Sequence, residues 1–233
     1  FVPVTPMNKR LLSALGVLAI FTRACNRDHK RTTAVIPKGN SHIFWQSVHA
    51  GAVAASRETG VEIIWNGPAS ETDYTGQLKV VDAMINRHLD AIALAPIDKT
   101  AMVSVVERAG REHIPIVIFD SPVDTDKFAS QVATNNYEAG AMAAARMGQI
   151  TGGKGKIAIV AVQVGAASTM AREQGFEDAI RKGFPGIEIV DKRYGEAGVA
   201  LSMRADENIP HGHPDPVARL EATELSATRR TWG

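Results

Sequence analysis

Between residues 32 and 208 a short apolar run alternates with a stretch of helical periodicity, several times over. The runs are Thr33–Ile36, Val61–Trp65, Ala91–Ala95, Ile116–Phe119, Ile157–Val162 and Ile187–Val190. Each is rich in β-branched residues and bounded by Gly, Pro, Asn or Asp, as a strand buried on both faces reads. Strand–helix–strand alternation of this kind builds an α/β fold with a parallel sheet and helices on both faces. Open parallel sheets bind ligands in the loops beyond the carboxyl ends of their strands. The search for function therefore narrows to a few loops.

The helical stretches carry their own spacing. Ser41 is positioned to cap the first helix, which presents Phe44, Val48, Ala52 and Ala55 and stops at Gly60. Leu78, Val81, Met84 and Ile85 mark the second helix, and Met102, Val105, Val106 and Ala109 the third. Gln131–Thr134 reads as a short extra strand, and Asn135-Asn136 opens the next helix. Gly152-Gly153-Lys154-Gly155 reads as a turn, since it precedes a strand and lacks the order of a phosphate loop. A further helix covers Thr169–Lys182. From about Ile209 the alternation fails, and 209–233 reads as an irregular tail without an apolar strand.

Before residue 32 the chain has another character. Met7–Arg10 is a basic head, Leu11–Phe21 an apolar segment too short to span a membrane as a helix, and Ala24-Cys25 follows. This order resembles a bacterial lipoprotein signal with Cys25 as the lipidated residue. Thr22 and Arg23 depart from the usual pattern, and an ordinary cleaved signal or a buried helix with a spare thiol are the other readings. Phe1–Pro6 is expected to precede the natural start at Met7, and residues 26–31 read as a polar tether.

A net charge of +1 with interspersed acids and bases does not provide the clustered basic face that nucleic acid needs. The single cysteine excludes an internal disulfide framework and a cysteine-based zinc site. His211-Gly212-His213 with Asp215 lacks a helical metal-binding spacing, so no metal is expected. No Gly-x-Ser-x-Gly elbow and no strand followed by Gly-x-Gly-x-x-Gly is present, so neither a hydrolase nucleophile nor a dinucleotide cofactor is expected.

The candidate binding residues sit where strands end. His42, Phe44 and Trp45 follow the first strand. Aromatic faces stack on the C–H face of a sugar while a polar neighbour takes a hydroxyl. Adjacent helical residues point about 100° apart, so one aromatic is expected in the core and the other toward a ligand, unless both merely pack. Asp120 ends a buried strand with no apolar reason to be there. It reads as a carboxylate accepting ligand hydroxyls or as a turn cap before Ser121-Pro122. Asp98, one strand earlier, reads better as a cap before Lys99-Thr100. Arg172 lies near a helix start, against the dipole preference, and calls for a ligand or carboxylate partner; pairing with Glu173 or Asp178 is the plainer alternative. Asn135 and Asn136 suit hinge or turn duty as well as ligand contact.

Three segments, Ala34–Ala52 (AVIPKGNSHIFWQSVHAGA), Ala91–Pro122 and Ala171–Ala179 (AREQGFEDA), together resemble the type I periplasmic binding proteins of the ribose and galactose class, which deliver sugars to ABC transporters. The resemblance implies two Rossmann-like lobes, 32–134 and 135–208, closing over a monosaccharide, with the second lobe incomplete. It implies sugar contacts at His42, Phe44, Trp45, Asp120 and Arg172, with Asp98, Asn135 and Asn136 secondary. It implies no chemistry, no cofactor, an ABC permease partner, a monomer in the periplasm or cell envelope, and the membrane met only through a lipid on Cys25. Ser121 stands where ribose-type members often have Arg, which puts ribose itself in doubt. The family's later ligand strand and return crossing are missing from 209–233, as in a truncated or frame-disrupted chain. The alternative is the effector-sensing domain of a sugar-responsive transcription regulator, which shares the fold.

Overall fold

The computed structural model describes residues 30–196, 200–202, 204 and 218–223. The expected signal segment 1–25, the lipidation site Cys25 and most of the tether lie outside the described residues, as do 209–217 and 224–233 of the expected tail.

Among the described residues, eight strands form two parallel sheets. The first sheet has the order β2-β1-β3-β4-β5, built from β1 (Thr32–Ile36), β2 (Glu62–Trp65), β3 (Ala91–Leu94), β4 (Ile116–Phe119) and β5 (Ser130–Val132). Its register sets Ala34 beside Ile64 on one side and Ile92 on the other. Side chains alternate across a strand. Ala34, Ile36, Ile92, Leu94, Ile116 and Ile118 accordingly share one face and one core with Val81, Met84 and Ile85 of α2 (Tyr74–Asn86) and Val105, Val106 and Ala109 of α3 (Val103–Arg111). Burial of each Val, Ile, Leu or Met among them is worth about 1.5–3 kcal/mol. The helical spacing read from the sequence selects these residues correctly.

The second sheet has the order β7-β6-β8, built from β6 (Lys154–Ala161), β7 (Gly186–Tyr194) and β8 (Ala218–Glu221). Ile157, Ile159 and Ala161 meet Ala144 and Met147 of α4 (Asn136–Thr151) and Phe176 and Ile180 of α5 (Ala167–Gly183). The two helices touch backbone to backbone. A Cβ on Gly175 would stand 1.9 Å from the Tyr137 carbonyl oxygen, and one on Gly140 1.9 Å from that of Arg172.

Several expectations are corrected. The first helix, α1 (Ile43–Thr59), is capped by His42 rather than Ser41: the His42 imidazole accepts the Phe44 N–H, while the Ser41 hydroxyl donates to the Ala69 carbonyl. Its buried residue is Trp45, not the Phe44 stripe. The helix ends as expected at Gly60, in the left-handed region at φ 72°. Only Gly152 and Gly153 form the turn before β6; Lys154 and Gly155 already pair with Gly186 and Ile187. Ladder hydrogen bonds extend a strand beyond its apolar run, because they depend on the backbone and not on side-chain burial. The same reason places β8 inside the expected tail. Ala218–Glu221 holds a single large apolar residue, Leu220, yet pairs with β6 from Ile157 to Val160.

Candidate functional site

The strands of both sheets end toward one cleft. The loop after β1 supplies Lys38 and His42, and the first turn of α1 supplies Phe44 and Trp45. Glu71 comes from the loop after β2, and Asp120 from the end of β4. The second sheet contributes Val162 and Gln163 after β6, Ser168, Thr169 and Arg172 from α5, and Thr223 after β8. The cavity measures about 80 Å³.

His42, Phe44, Trp45, Asp120 and Arg172 are thus brought together. The two aromatics differ in burial: Trp45 is 2% exposed and Phe44 40%. Their rings meet edge to face with centroids 4.8 Å apart, and Trp45 leans in the same manner on Phe119. The Trp45 indole N–H donates to Glu71 Oε1 at 2.8 Å, which fixes ring and carboxylate together. Burial pushes the Glu71 carboxyl above the ordinary carboxylate range. The Trp45 hydrogen bond, Lys38 and His42 oppose that rise, and Asp120 adds to it.

Asp120 leaves β4 with φ 63°, a left-handed conformation that Asp tolerates better than most residues. This turns the chain out of the sheet, and the Asp120 carboxylate meets the buried Lys38 ammonium at 2.7 Å. The plain cap reading is not what the structure records for Asp120. For Asp98 it is: its Oδ1 accepts the N–H groups of Thr100 and Ala101, and it does not line the cleft. That turn precedes α3, which itself starts at Val103.

Arg172 finds neither Glu173 nor Asp178. Its Nε and Nη2 donate to Asn136 Oδ1 at 3.2 and 2.7 Å, and Nη1 donates to the Ala222 carbonyl at 2.6 Å. Asn136 is therefore a support for Arg172 and not itself part of the cleft lining. Asn135 caps α4 by accepting the Glu138 N–H, and is likewise outside the lining.

Lys38, Glu71, Gln163, Ser168 and Thr169 were not flagged by sequence reasoning. Lys38 sits just past the end of β1, so the same strand-end rule that selected Asp120 could have found it. Glu71 is placed by the loop after β2, where the Trp45 indole holds it, and Gln163, Ser168 and Thr169 come from the second sheet. Lys38 Nζ donates to Ser168 Oγ at 3.1 Å, the Ser168 N–H donates to Ser121 Oγ at 3.1 Å, and the Gln163 amide donates to the Glu71 carbonyl at 3.0 Å. Farther along, the Lys99 N–H donates to the Gly165 carbonyl at 3.2 Å. Donors and acceptors both line the cleft beside the aromatic pair, an arrangement that complements a small polyhydroxylated molecule. Among the described residues no group of three or more His, Cys, Asp or Glu side chains is placed to hold a metal.

Residues 33–208 match the family model described as a periplasmic binding protein domain. A xylitol-binding protein of Mycolicibacterium smegmatis is 26% identical over 188 residues, covering 78% of this chain and 52% of the relative. Among solved structures, a carbohydrate transporter solute-binding protein from Agrobacterium radiobacter in complex with D-arabinose superposes with a TM-score of 0.81 at 25% identity, covering 87% of this chain and 72% of that one. An ABC transporter solute-binding protein from Agrobacterium vitis with bound D-fucose gives 0.80 at 34% identity, covering 85% and 70%. The chain spans between half and three fifths of the length of the first curated relatives it matches.

Proposed function

The chain belongs to the periplasmic binding protein domain family, and on that premise we propose that it binds a monosaccharide or related polyol between two lobes, without altering it, for a sugar ABC transporter. The observation that carries this reading is the convergence of Phe44, Trp45, Asp120 and Arg172, from two separate sheets, on one small cleft. The aromatic pair offers a stacking face, the carboxylate accepts hydroxyl protons, and the guanidinium donates to hydroxyl oxygens. His42 lines the same wall. The lobes are proposed at 32–134 and 135–208, the protein as a monomer in the periplasm or cell envelope, and the permease as its partner. Among the described residues no helix is long and apolar enough to cross a membrane. A lipid on Cys25 is the proposed attachment. The relatives above are named as binding proteins, which favours this reading over the effector-sensing domain of a transcription regulator.

Calorimetry of the protein against pentoses, hexoses and polyols tests the reading. Saturable binding of at least one member with no product formed is the expected result. No binding across the panel, or turnover of any member, would sink it.

A further inference from the structure

Glu173 is a buried charged residue that the proposed binding role leaves unused. It stands in α5 one position after Arg172, is 2% exposed and does not line the cleft. Adjacent helical residues point about 100° apart, so Arg172 can reach the cavity while Glu173 faces the second sheet. Glu173 Oε1 accepts the Val162 N–H at 3.3 Å, just past the end of β6. Its Oε2 meets the Lys192 ammonium of β7 at 2.9 Å, and Lys192 also pairs with Glu177 at 2.8 Å.

A buried ion pair adds little net stability, because desolvation offsets its attraction and well-packed apolar side chains often serve as well. What apolar packing cannot supply is a directed bond to a backbone N–H. The place of that bond is informative. Val162 and Gln163 line the cleft where β6 has ended. The Val162 N–H is taken by Glu173, and its carbonyl accepts the Glu196 N–H at 2.8 Å. Both backbone groups of this cleft residue are therefore held. On α5, Thr169 lies one turn before Glu173, and both Thr169 and Arg172 line the same cleft. One carboxylate thus joins the two parts of the second sheet's contribution, the end of β6 and the first turns of α5.

We infer that Glu173 is a positioning residue of the cleft: by accepting the Val162 N–H it fixes Val162 and Gln163 relative to Thr169 and Arg172, without touching the ligand itself. This rests on the sugar-binding reading above. Binding constellations work only when their side chains are held to about 0.5 Å, which the bond from Glu173 supplies across the β6–α5 junction. The plainer role is cohesion alone, through the ion pair with Lys192. The two roles predict different things. Cohesion alone lowers stability and leaves the folded protein's affinity unchanged. Positioning makes affinity follow the Val162 bond and not the ion pair.

The test uses the full chain and three variants. Glu173→Leu removes both the Val162 bond and the ion pair, and Lys192 keeps Glu177. Glu173→Gln keeps an acceptor for Val162 without the charge, and Lys192→Met removes the ion pair but leaves that bond. Each is titrated calorimetrically with D-ribose, D-arabinose, D-allose, D-fucose and xylitol, well below its melting temperature. The Val162 amide exchange rate is measured by NMR on the sugar-free proteins. The expected result for the tightest-binding probe is a loss of about tenfold or more in Glu173→Leu, with Glu173→Gln and Lys192→Met within about threefold of wild type. Val162 exchange should quicken in Glu173→Leu alone. Affinity retained in Glu173→Leu, or lost about equally in all three variants, would overturn the inference and leave cohesion as the role. Should Glu173→Leu fail to fold, a tenfold loss in either of the other two would overturn it, and their retained affinity and slow Val162 exchange would support it. If the wild type binds no probe, the sugar-binding reading has failed, and the exchange rates alone decide whether Glu173 fixes the end of β6.

Discussion

At residue scale the cleft is a set of charges taken partly out of water, each held by a named neighbour. Asp120 is clamped by Lys38, and Trp45 clamps Glu71. Replacing Asp120 by Ala removes a charged acceptor and leaves the ligand's hydroxyls unpaired, which is expected to weaken binding by roughly 2–4 kcal/mol. It also strands the buried Lys38 ammonium, so the melting temperature should fall as well. An Asp120→Ala variant with affinity within about 0.5 kcal/mol of wild type would show that the carboxylate does not touch the ligand. Glu71 makes a pH prediction. Its folded carboxyl titrates above the ordinary value of 4.5, so the folded state keeps the proton longer than the unfolded chain does. The stabilisation it confers is complete below that value and is lost as pH climbs through the raised one. Glu71→Gln keeps an acceptor for the Trp45 indole and cannot ionise. Its melting temperature relative to wild type is expected to be higher at pH 7 than at pH 4. Equal differences at both pH values would mean that burial of this carboxylate has no energetic consequence.

At element scale the decisive contact is α4 against α5. Ordinary helices pack 8–10 Å apart, and closer approach requires residues without a Cβ at the crossing. Gly140 and Gly175 provide it, each facing a carbonyl oxygen of the other helix. Gly175→Ala is expected to cost about 1–3 kcal/mol or more by overpacking, measurable by urea unfolding. Gly140→Ala should do the same and also lower ligand affinity, since the oxygen it strikes is that of Arg172. Unchanged unfolding midpoints in both variants would show that the helices can separate freely. The sequence disclosed the apolar faces of α2 and α3 through their spacing, because each packs one stripe against a sheet. Gln77 escaped notice within α2. It is fully buried, and it donates to the Pro37 and Ala95 carbonyls and accepts the Ile97 N–H. A polar residue at a core position looks like an interruption until the loop ends it ties together are known.

At the scale of the whole molecule, the cleft depends on how the second sheet meets the first. Gly165 is one point of that meeting. It has φ 93°, its carbonyl accepts the Lys99 N–H, and a Cβ there would stand 2.0 Å from Asp98 Oδ2. Asp98, flagged for the ligand, lies at this contact between lobes. Gly165→Ala is therefore expected to hold the lobes apart and to weaken ligand binding by about 1–3 kcal/mol, the order of the strain it introduces. Small-angle scattering of the ligand-saturated variant should give a larger radius of gyration than wild type. An identical radius with unchanged affinity would show that this contact is dispensable.

The amino-acid sequence alone determined the parallel α/β class, the strands that supply the first core, and the loops and helix starts after strands where His42, Phe44, Trp45, Asp120 and Arg172 lie. These are local properties: periodicity, β-branching and the place of a polar residue at the end of an apolar run. Tertiary structure decided which of the flagged residues face a common cavity and which serve as caps or supports. Capping is the better reading of Asp98 in sequence, and hinge or turn duty is as good a reading of Asn135 and Asn136 as ligand contact, but the partner each acceptor takes is chosen by the chain that arrives opposite it. Lys38 reads as a solvated loop lysine until Ser168 and Asp120 close around it, and Arg219-Leu220-Glu221 reads as loop until β6 offers its backbone. Burial and pairing belong to residues far apart in the chain, and no local pattern records them.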